Sequence, residues 1–131
     1  MIYFDTSALV KLIFEEAESA ALAEWVTLRP DVPKITSDLS TTVELLRTCR
    51  RVDASAVGDA NVLLGGIDLL PVDRAIVEHA AALGPTELRS LEAIHLASAL
   101  SVKADLTALV AYDIRLGSAA TDSGIDVVSP A

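Results

Sequence analysis

The sequence predicts an α/β fold in which a central, mostly parallel sheet is covered by helices on both faces. Strand-like apolar runs alternate with helical segments along the 131 residues. Successive strand-like runs are too far apart for hairpins, which favours parallel pairing with crossover helices. Hydrophobic residues make up 52% of the chain and charged residues 22%, enough to bury a core. We therefore expect a three-layer α/β/α sandwich formed by a single domain, residues 1–131.

The first half of the chain is expected to contain two strands and three helices. Strands are indicated by β-branched or aromatic runs, and helices by apolar residues at helical spacing that begin at a polar cap and stop before Pro. In chain order these are a strand at 2–4, a helix from a Thr6 or Ser7 cap to about 14, a helix at about 17–28, a strand at 34–37, and a helix from Asp38 or Ser40 to about 50.

The second half continues the alternation, with Gly and Pro residues marking the ends of its elements. The predicted elements are a helix at about 54–64, a strand at 67–70, a helix at 73–83, a helix at 88–103 that should be the longest, a strand at 107–112, a short helix at about 114–120, and an edge strand at 126–128.

The charge balance limits the ways in which this chain can meet nucleic acid. Ten Lys and Arg against nineteen Asp and Glu give a net charge of −9. Binding through unpaired cations alone is disfavoured, because its affinity comes from counterions released at phosphates. Acids that hold a metal ion, which then meets the phosphate, remain compatible.

Composition also indicates where the protein works. The N-terminus has no basic region of the signal-peptide type, and Cys49 is the only cysteine. A lone cysteine agrees with a reducing cytosol. No uncharged stretch approaches the roughly 18 apolar residues of a membrane span. We expect a cytoplasmic protein with no membrane segment.

Two aspartates follow predicted strands. Asp5 comes directly after the first strand, and Asp113 comes after the strand at 107–112. Ligands of open parallel sheets bind beyond the carboxyl ends of the strands, so these side chains are candidates for one shared crevice. Each is equally suited to be a helix N-cap.

Two glutamates occupy apolar helical surroundings. Glu92 lies on the same helical stripe as Leu88 and Leu96, and a carboxylate buried there needs a cation, a donor or a proton. Glu44 poses the same question, with an ion pair to Arg47 as the alternative. Several such acids without matching lysines suggest a divalent cation, and an all-oxygen set favours Mg²⁺ or Mn²⁺ over Zn²⁺.

The two histidines do not suggest a zinc site. His79 is expected to be a partly exposed helix residue. His95 lies one turn from Glu92 and is suited either to orient it or, the interpretation we favour, to be a hydrogen-bonded core histidine. No nucleotide-binding glycine loop or nucleophile elbow is present.

Four motifs occur in order along the chain: Asp5-Thr6-Ser7-Ala8-Leu9, Val43-Glu44-Leu45-Leu46, Leu91-Glu92-Ala93-Ile94-His95-Leu96-Ala97 and Tyr112-Asp113-x-Arg115-Leu116. Their order and spacing resemble those of the PIN domain, and most closely the VapC toxins of bacterial toxin–antitoxin pairs. The resemblance spans residues 5 to about 124. It implies a PIN-like sandwich and a ribonuclease that uses Mg²⁺ or Mn²⁺. The implied catalytic acids are Asp5, Glu44, Glu92 and Asp113, and the implied metal ligands are Asp5, Glu92 and Asp113.

The resemblance also implies RNA as the substrate, a homodimer, and a cognate VapB-type antitoxin in a hetero-oligomer. A metal-activated water should leave 5′-phosphate and 3′-hydroxyl ends. The expected substrate contacts are Thr6, Ser7 and Arg115. Further candidate phosphate contacts, each equally suited to be a solvated surface charge, are Lys11, Arg47, Arg50 and Arg51.

Two questions stay open at this level. The first concerns Glu92, because the family usually carries Asp at this position. The extra methylene of Glu moves the carboxylate by roughly one bond length, and shifts of about 1 Å can cost on the order of 10²-fold in rate. A catalytically silent PIN fold that serves as a binding module is therefore the alternative function. The apolar residues of the first two helices, such as Leu12 and Trp25, could form a groove for a partner helix or belong to ordinary core packing.

Overall fold

The computed structural model describes all 131 residues. Its five strands form one sheet: β1 (Ile2–Phe4), β2 (Lys34–Ser37), β3 (Asp68–Leu70), β4 (Ala108–Val110) and β5 (Val127–Val128). The spatial order is β3-β2-β1-β4-β5, and every pairing is parallel. The predicted α/β class with a parallel sheet is confirmed, and β5 is an edge strand as expected.

Seven α-helices connect the strands: α1 (Thr6–Ile13), α2 (Ser19–Thr27), α3 (Asp38–Val52), α4 (Val57–Gly65), α5 (Arg74–Ala82), α6 (Ser90–Ser101) and α7 (Ile114–Asp122). Single 3₁₀ turns occupy Ala54–Ala56 and Lys103–Asp105. Every predicted strand and helix is present. The segment predicted as one helix at 54–64 begins with the first of these 3₁₀ turns. No helix is both long enough and apolar enough to cross a membrane.

Two details of the prediction were wrong. Asp5, and not Thr6 or Ser7, is the N-cap of α1, because its backbone is still extended after β1 and its carboxylate accepts a hydrogen bond from the Ser7 N–H. The helix at 88–103 is not the longest, since α6 has 12 residues and α3 has 15. The chain turns into a 3₁₀ conformation at Lys103, which ends α6 early, whereas α3 meets no Gly or Pro before Asp53.

The sheet has a buried apolar layer on each face. Alternate residues of β1 point to opposite faces, so Ile2 and Phe4 join the cluster beneath α1–α4 while Tyr3 joins the cluster beneath α6 and α7. Burial on both faces is typical of parallel sheets. Leu12 and Trp25 are partly buried and pack against the first cluster, while Leu12 also lines a surface depression between α1 and α2, so core packing accounts for only part of this apolar surface.

The order of the strands sets the place of a ligand crevice. From β1 the chain adds β2 and β3 on one side, and later β4 and β5 on the other. The connections therefore reverse direction between β1 and β4, which pair directly. Beyond the carboxyl ends of two such strands, the helices diverge and leave room for a site.

Candidate active site

The four predicted acids lie around one pocket of about 390 Å³ at the carboxyl ends of β1 and β4. Asp5 follows β1 and Asp113 follows β4, while Glu44 comes from α3 and Glu92 from the first turn of α6. Asp5 and Glu92 are buried, as the apolar surroundings of Glu92 predicted. The side chains thus converge from four separate segments, and their catalytic roles remain predictions.

The two aspartates are helix caps and pocket residues at the same time. Asp5 Oδ2 accepts hydrogen bonds from the Ser7 N–H at 3.2 Å and the Ser7 hydroxyl at 2.6 Å. Asp113 Oδ1 accepts from the Leu116 N–H at 3.0 Å. Both sequence interpretations of these residues therefore hold, since one oxygen of each carboxylate caps its helix.

His95 lies beneath the pocket and joins two of its acids. Its Nε2 is 2.9 Å from Glu44 Oε1 and 3.4 Å from Asp5 Oδ1. On the far side of the ring, Nδ1 is 2.7 Å from the Tyr3 hydroxyl. The prediction of a hydrogen-bonded core histidine is confirmed. Its hydrogen-bond partners are Tyr3, Thr6 and Glu44. The alternative in which it orients Glu92 was wrong, because the ring points toward β1 and α3.

These contacts suit an imidazole that has its N–H at Nε2. Nε2 faces two carboxylate oxygens, so an N–H at this position donates to them. The Tyr3 hydroxyl can then donate to a neutral Nδ1. Burial raises the pKa of Tyr3, and the neighbouring Asp5 charge raises it further, so this hydroxyl keeps its proton.

Glu44 turns toward the pocket and not along its own helix. The Thr6 hydroxyl donates to Glu44 Oε1 at 3.0 Å, and His95 contacts the same oxygen. The alternative of an ion pair with Arg47 was wrong, because the exposed Arg47 remains in solvent while Glu44 gains two buried partners. The side chain of Glu44 is still 27% exposed.

Glu92 is held at the N-terminus of α6. Its Oε2 accepts a hydrogen bond from the Arg89 N–H at 2.8 Å, which ties the carboxylate to the helix start. Its Oε1 lies 3.5 Å from the Arg115 guanidinium. Arg115, expected to meet substrate, thus lies beside a pocket acid and remains 46% exposed.

The other expected phosphate contacts differ in their surroundings. Thr6 and Ser7 line the pocket. The Ser7 hydroxyl also accepts a hydrogen bond from the Tyr112 N–H, so both its donor and its acceptor capacity are in use. Lys11 forms ion pairs with Glu16 and Glu18 and does not line the pocket.

The donor chemistry of the pocket suits a hard divalent cation. It offers carboxylate oxygens from four residues and no thiolate, the set that Mg²⁺ and Mn²⁺ prefer. Glu44 Oε2 and Asp113 Oδ2 accept no hydrogen bond from the protein. As now oriented, no three His, Cys, Asp or Glu side chains are close enough to hold one ion. The four acids therefore share one pocket, but their carboxylate oxygens are turned toward hydrogen-bond donors of the protein.

The sequence matches a known protein family. The model of the PIN domain matches residues 2–121. The chain belongs to the PIN domain family. Two similar relatives from Mycobacterium tuberculosis are named ribonuclease VapC35, 47% identical over 132 residues, and ribonuclease VapC47, 42% identical over 133 residues. Each alignment covers 99% of this chain and 97% of the relative, so this PIN domain is of the VapC type.

Solved structures agree on the fold. VapC20 of M. tuberculosis, described as a sarcin–ricin loop cleaving toxin, superimposes with a TM-score of 0.78 at 19% identity, covering 99% of this chain and all of that one. VapBC2 from Rickettsia felis, solved with a DNA fragment from its promoter, gives a TM-score of 0.76 at 13% identity with full coverage of both chains. At these identities the likeness concerns the PIN fold alone.

Sequence reasoning missed one charged residue of this PIN-domain pocket. Arg89 lines the pocket next to Ser90 and Leu91. The helix was expected to begin at residue 88, which would have placed Arg89 within its first turn. A Glu three residues after the N-cap is typical of a helix start, because its carboxylate can accept from the N-cap N–H. Glu92 makes this contact with the Arg89 N–H, so its position in the sequence could have located the helix start.

Proposed function

We propose that this VapC-type PIN domain is a ribonuclease that hydrolyses phosphodiester bonds with Mg²⁺ or Mn²⁺ held by Asp5, Glu92 and Asp113. The observation that carries the proposal is the convergence of four carboxylates on one pocket. Relatives that are 42% and 47% identical and named as ribonucleases support the same activity.

Each pocket residue has a role that follows from its contacts. A bound cation would lower the pKa of a coordinated water and stabilise negative charge on the phosphate oxygens. Glu44 is fixed through Oε1 by Thr6 and His95, so its free Oε2 is available to accept a proton from an attacking water. Arg89 borders the pocket and Arg115 lies beside Glu92, and both are suited to contact phosphate oxygens.

The position of Asp5 allows this proposal to be tested with a matched control. Asp53 caps a 3₁₀ turn through the same pair of contacts, to the Ser55 N–H and hydroxyl, and lies outside the pocket. Asn is as good an N-cap as Asp, so Asp5→Asn and Asp53→Asn should both fold.

The assay is cleavage of a mixed RNA pool with Mn²⁺ and with EDTA. Asp5→Asn and chelation should each reduce the rate by on the order of 10²-fold or more, while Asp53→Asn should cleave like the unmodified chain. The products should carry 5′-phosphate and 3′-hydroxyl ends. Retained cleavage in Asp5→Asn, or ends blocked by a 2′,3′-cyclic phosphate, would refute the mechanism. Absence of both cleavage and Mn²⁺ binding would favour a silent binding module.

We also propose a VapB-type antitoxin partner and a homodimer for this VapC-type chain. A net charge of −9 favours association with a basic partner, because opposite charge accelerates encounter. Co-expression with the product of the adjacent gene should yield a stable complex whose RNA cleavage is suppressed. Purification of the chain as a stable monomer that binds no such product would contradict this.

A further inference from the structure

Three arginines form a concentrated basic patch on an otherwise acidic chain. Arg47, Arg50 and Arg51 are exposed on α3, and together they are the sole lining of a depression of about 360 Å³. We call this set the α3 arginine patch. It contains three of the ten Lys and Arg residues of the chain.

The patch differs from most other cations of the protein in having no protein partner. None of its three guanidiniums forms an ion pair or a side-chain hydrogen bond. Five of the other seven cationic side chains have a partner: three form ion pairs, and two donate to backbone carbonyls, one of which also stacks on an indole ring. These are Lys11, Arg74, Arg115, Arg29 and Lys103.

The helix itself explains only part of this clustering. Arg50 and Arg51 lie in the last turn of α3, where the negative end of the helix dipole favours cations. Arg47 lies a turn earlier, with no carboxylate near enough to form an ion pair. Three like charges at i, i+3 and i+4 repel one another, so an anion bound between them would relieve the repulsion.

Two arginines of the patch, Arg47 and Arg51, lie on the same side of α3 as Glu44. At 100° per residue, Arg47 and Arg51 fall within about 60° of Glu44 around the helix axis, and Arg51 is about 10 Å further along it. An RNA strand that leaves the pocket beside Glu44 would therefore pass over the patch. The four acids of the pocket repel phosphates, so cations outside the pocket would add affinity for the strand to that supplied by Arg89 and Arg115.

We propose that the α3 arginine patch binds the phosphodiester backbone of single-stranded RNA beyond the cleaved bond. The planar guanidinium fork of arginine matches phosphate oxygens. This inference deepens the proposed ribonuclease function and rests on it for the identity of the strand. An acidic protein segment is the competing occupant that the experiment must separate.

The test measures RNA binding without cleavage. All variants carry Asp5→Asn and are assayed in EDTA with a fluorescent oligouridine over a series of salt concentrations. The test protein carries both Arg47→Gln and Arg51→Gln. The matched control carries both Arg74→Gln and Lys103→Gln, which removes the same amount of charge from exposed sites elsewhere. Each lost phosphate contact should lower the log–log salt slope by about 0.7, so the patch pair should lose about 1.4 and the control pair close to zero.

The outcomes separate this inference from the proposed function. Equal slopes and affinities for the two pairs would overturn the role of the patch, even if cleavage depends on Asp5. Cleavage that does not depend on Asp5 would overturn the proposed function, while the salt slope would still report on the patch. Unchanged RNA binding together with lost binding of polyglutamate would assign the patch to an acidic protein and overturn the inference.

Discussion

Removal of one buried hydroxyl should destabilise this protein without creating a cavity. In Tyr3→Phe the ring remains in the core, and only the hydroxyl that contacts His95 Nδ1 at 2.7 Å is lost. Tyr3 is 0% exposed and His95 is 2% exposed, so water cannot replace the missing donor. Nδ1 would be left buried without a partner.

The magnitude follows from this unsatisfied nitrogen. A buried polar atom that loses its partner costs about 1–3 kcal/mol of unfolding free energy. Urea unfolding followed by circular dichroism measures the loss. With a slope near 2 kcal/mol/M, a loss of about 2 kcal/mol moves the midpoint by roughly 1 M.

Tyr112→Phe is the matched control. Its hydroxyl donates to the Pro130 carbonyl at the same distance, 2.7 Å, but Tyr112 is only half-buried. Water can therefore take the place of the hydroxyl, and the loss should stay below about 1 kcal/mol. Equal losses for Tyr3→Phe and Tyr112→Phe, or a loss below about 0.5 kcal/mol for Tyr3→Phe, would refute the reasoning.

Two further predictions concern the core. Leu45 is fully buried under the sheet, so Leu45→Ala should cost about 2–5 kcal/mol in urea unfolding, and a cost below about 1 kcal/mol would mean that the cluster collapses around the gap. Burial raises the pKa of the Cys49 thiol above its ordinary 9.0 and that of the Tyr3 hydroxyl above 10.0. The unfolded chain ionises at the ordinary values, so unfolding free energy should be unaffected by these groups below pH 9.0 and fall as the pH rises beyond it. Urea midpoints on both sides of that pH, compared with Cys49→Ala, provide the check, and a midpoint that does not fall would contradict it.

The sequence allowed the strands, the helices and the meeting of Asp5 with Asp113 to be predicted, because these depend on local pattern and on parallel topology. The partners of Glu44 could not be predicted in the same way. Arg47 is its neighbour along the helix, but His95 and Thr6 come from other segments and are buried beside it. Choosing between a solvent-facing and an inward rotamer requires the packing of three elements. Arg89 was missed for a smaller reason, a helix start misplaced by two residues.

The contacts of His95 also bear on the synthesis of the protein. The ring reaches Tyr3, 92 residues earlier in the chain, and Glu44, 51 residues earlier. At roughly 5–20 residues per second, a ribosome needs on the order of 5 to 20 s to add the imidazole after the tyrosine. Such non-local closure is among the slow steps of folding. A nascent chain therefore spends seconds with its acids unassembled, and the pocket can form only after Asp113, the last of its four acids, has been added.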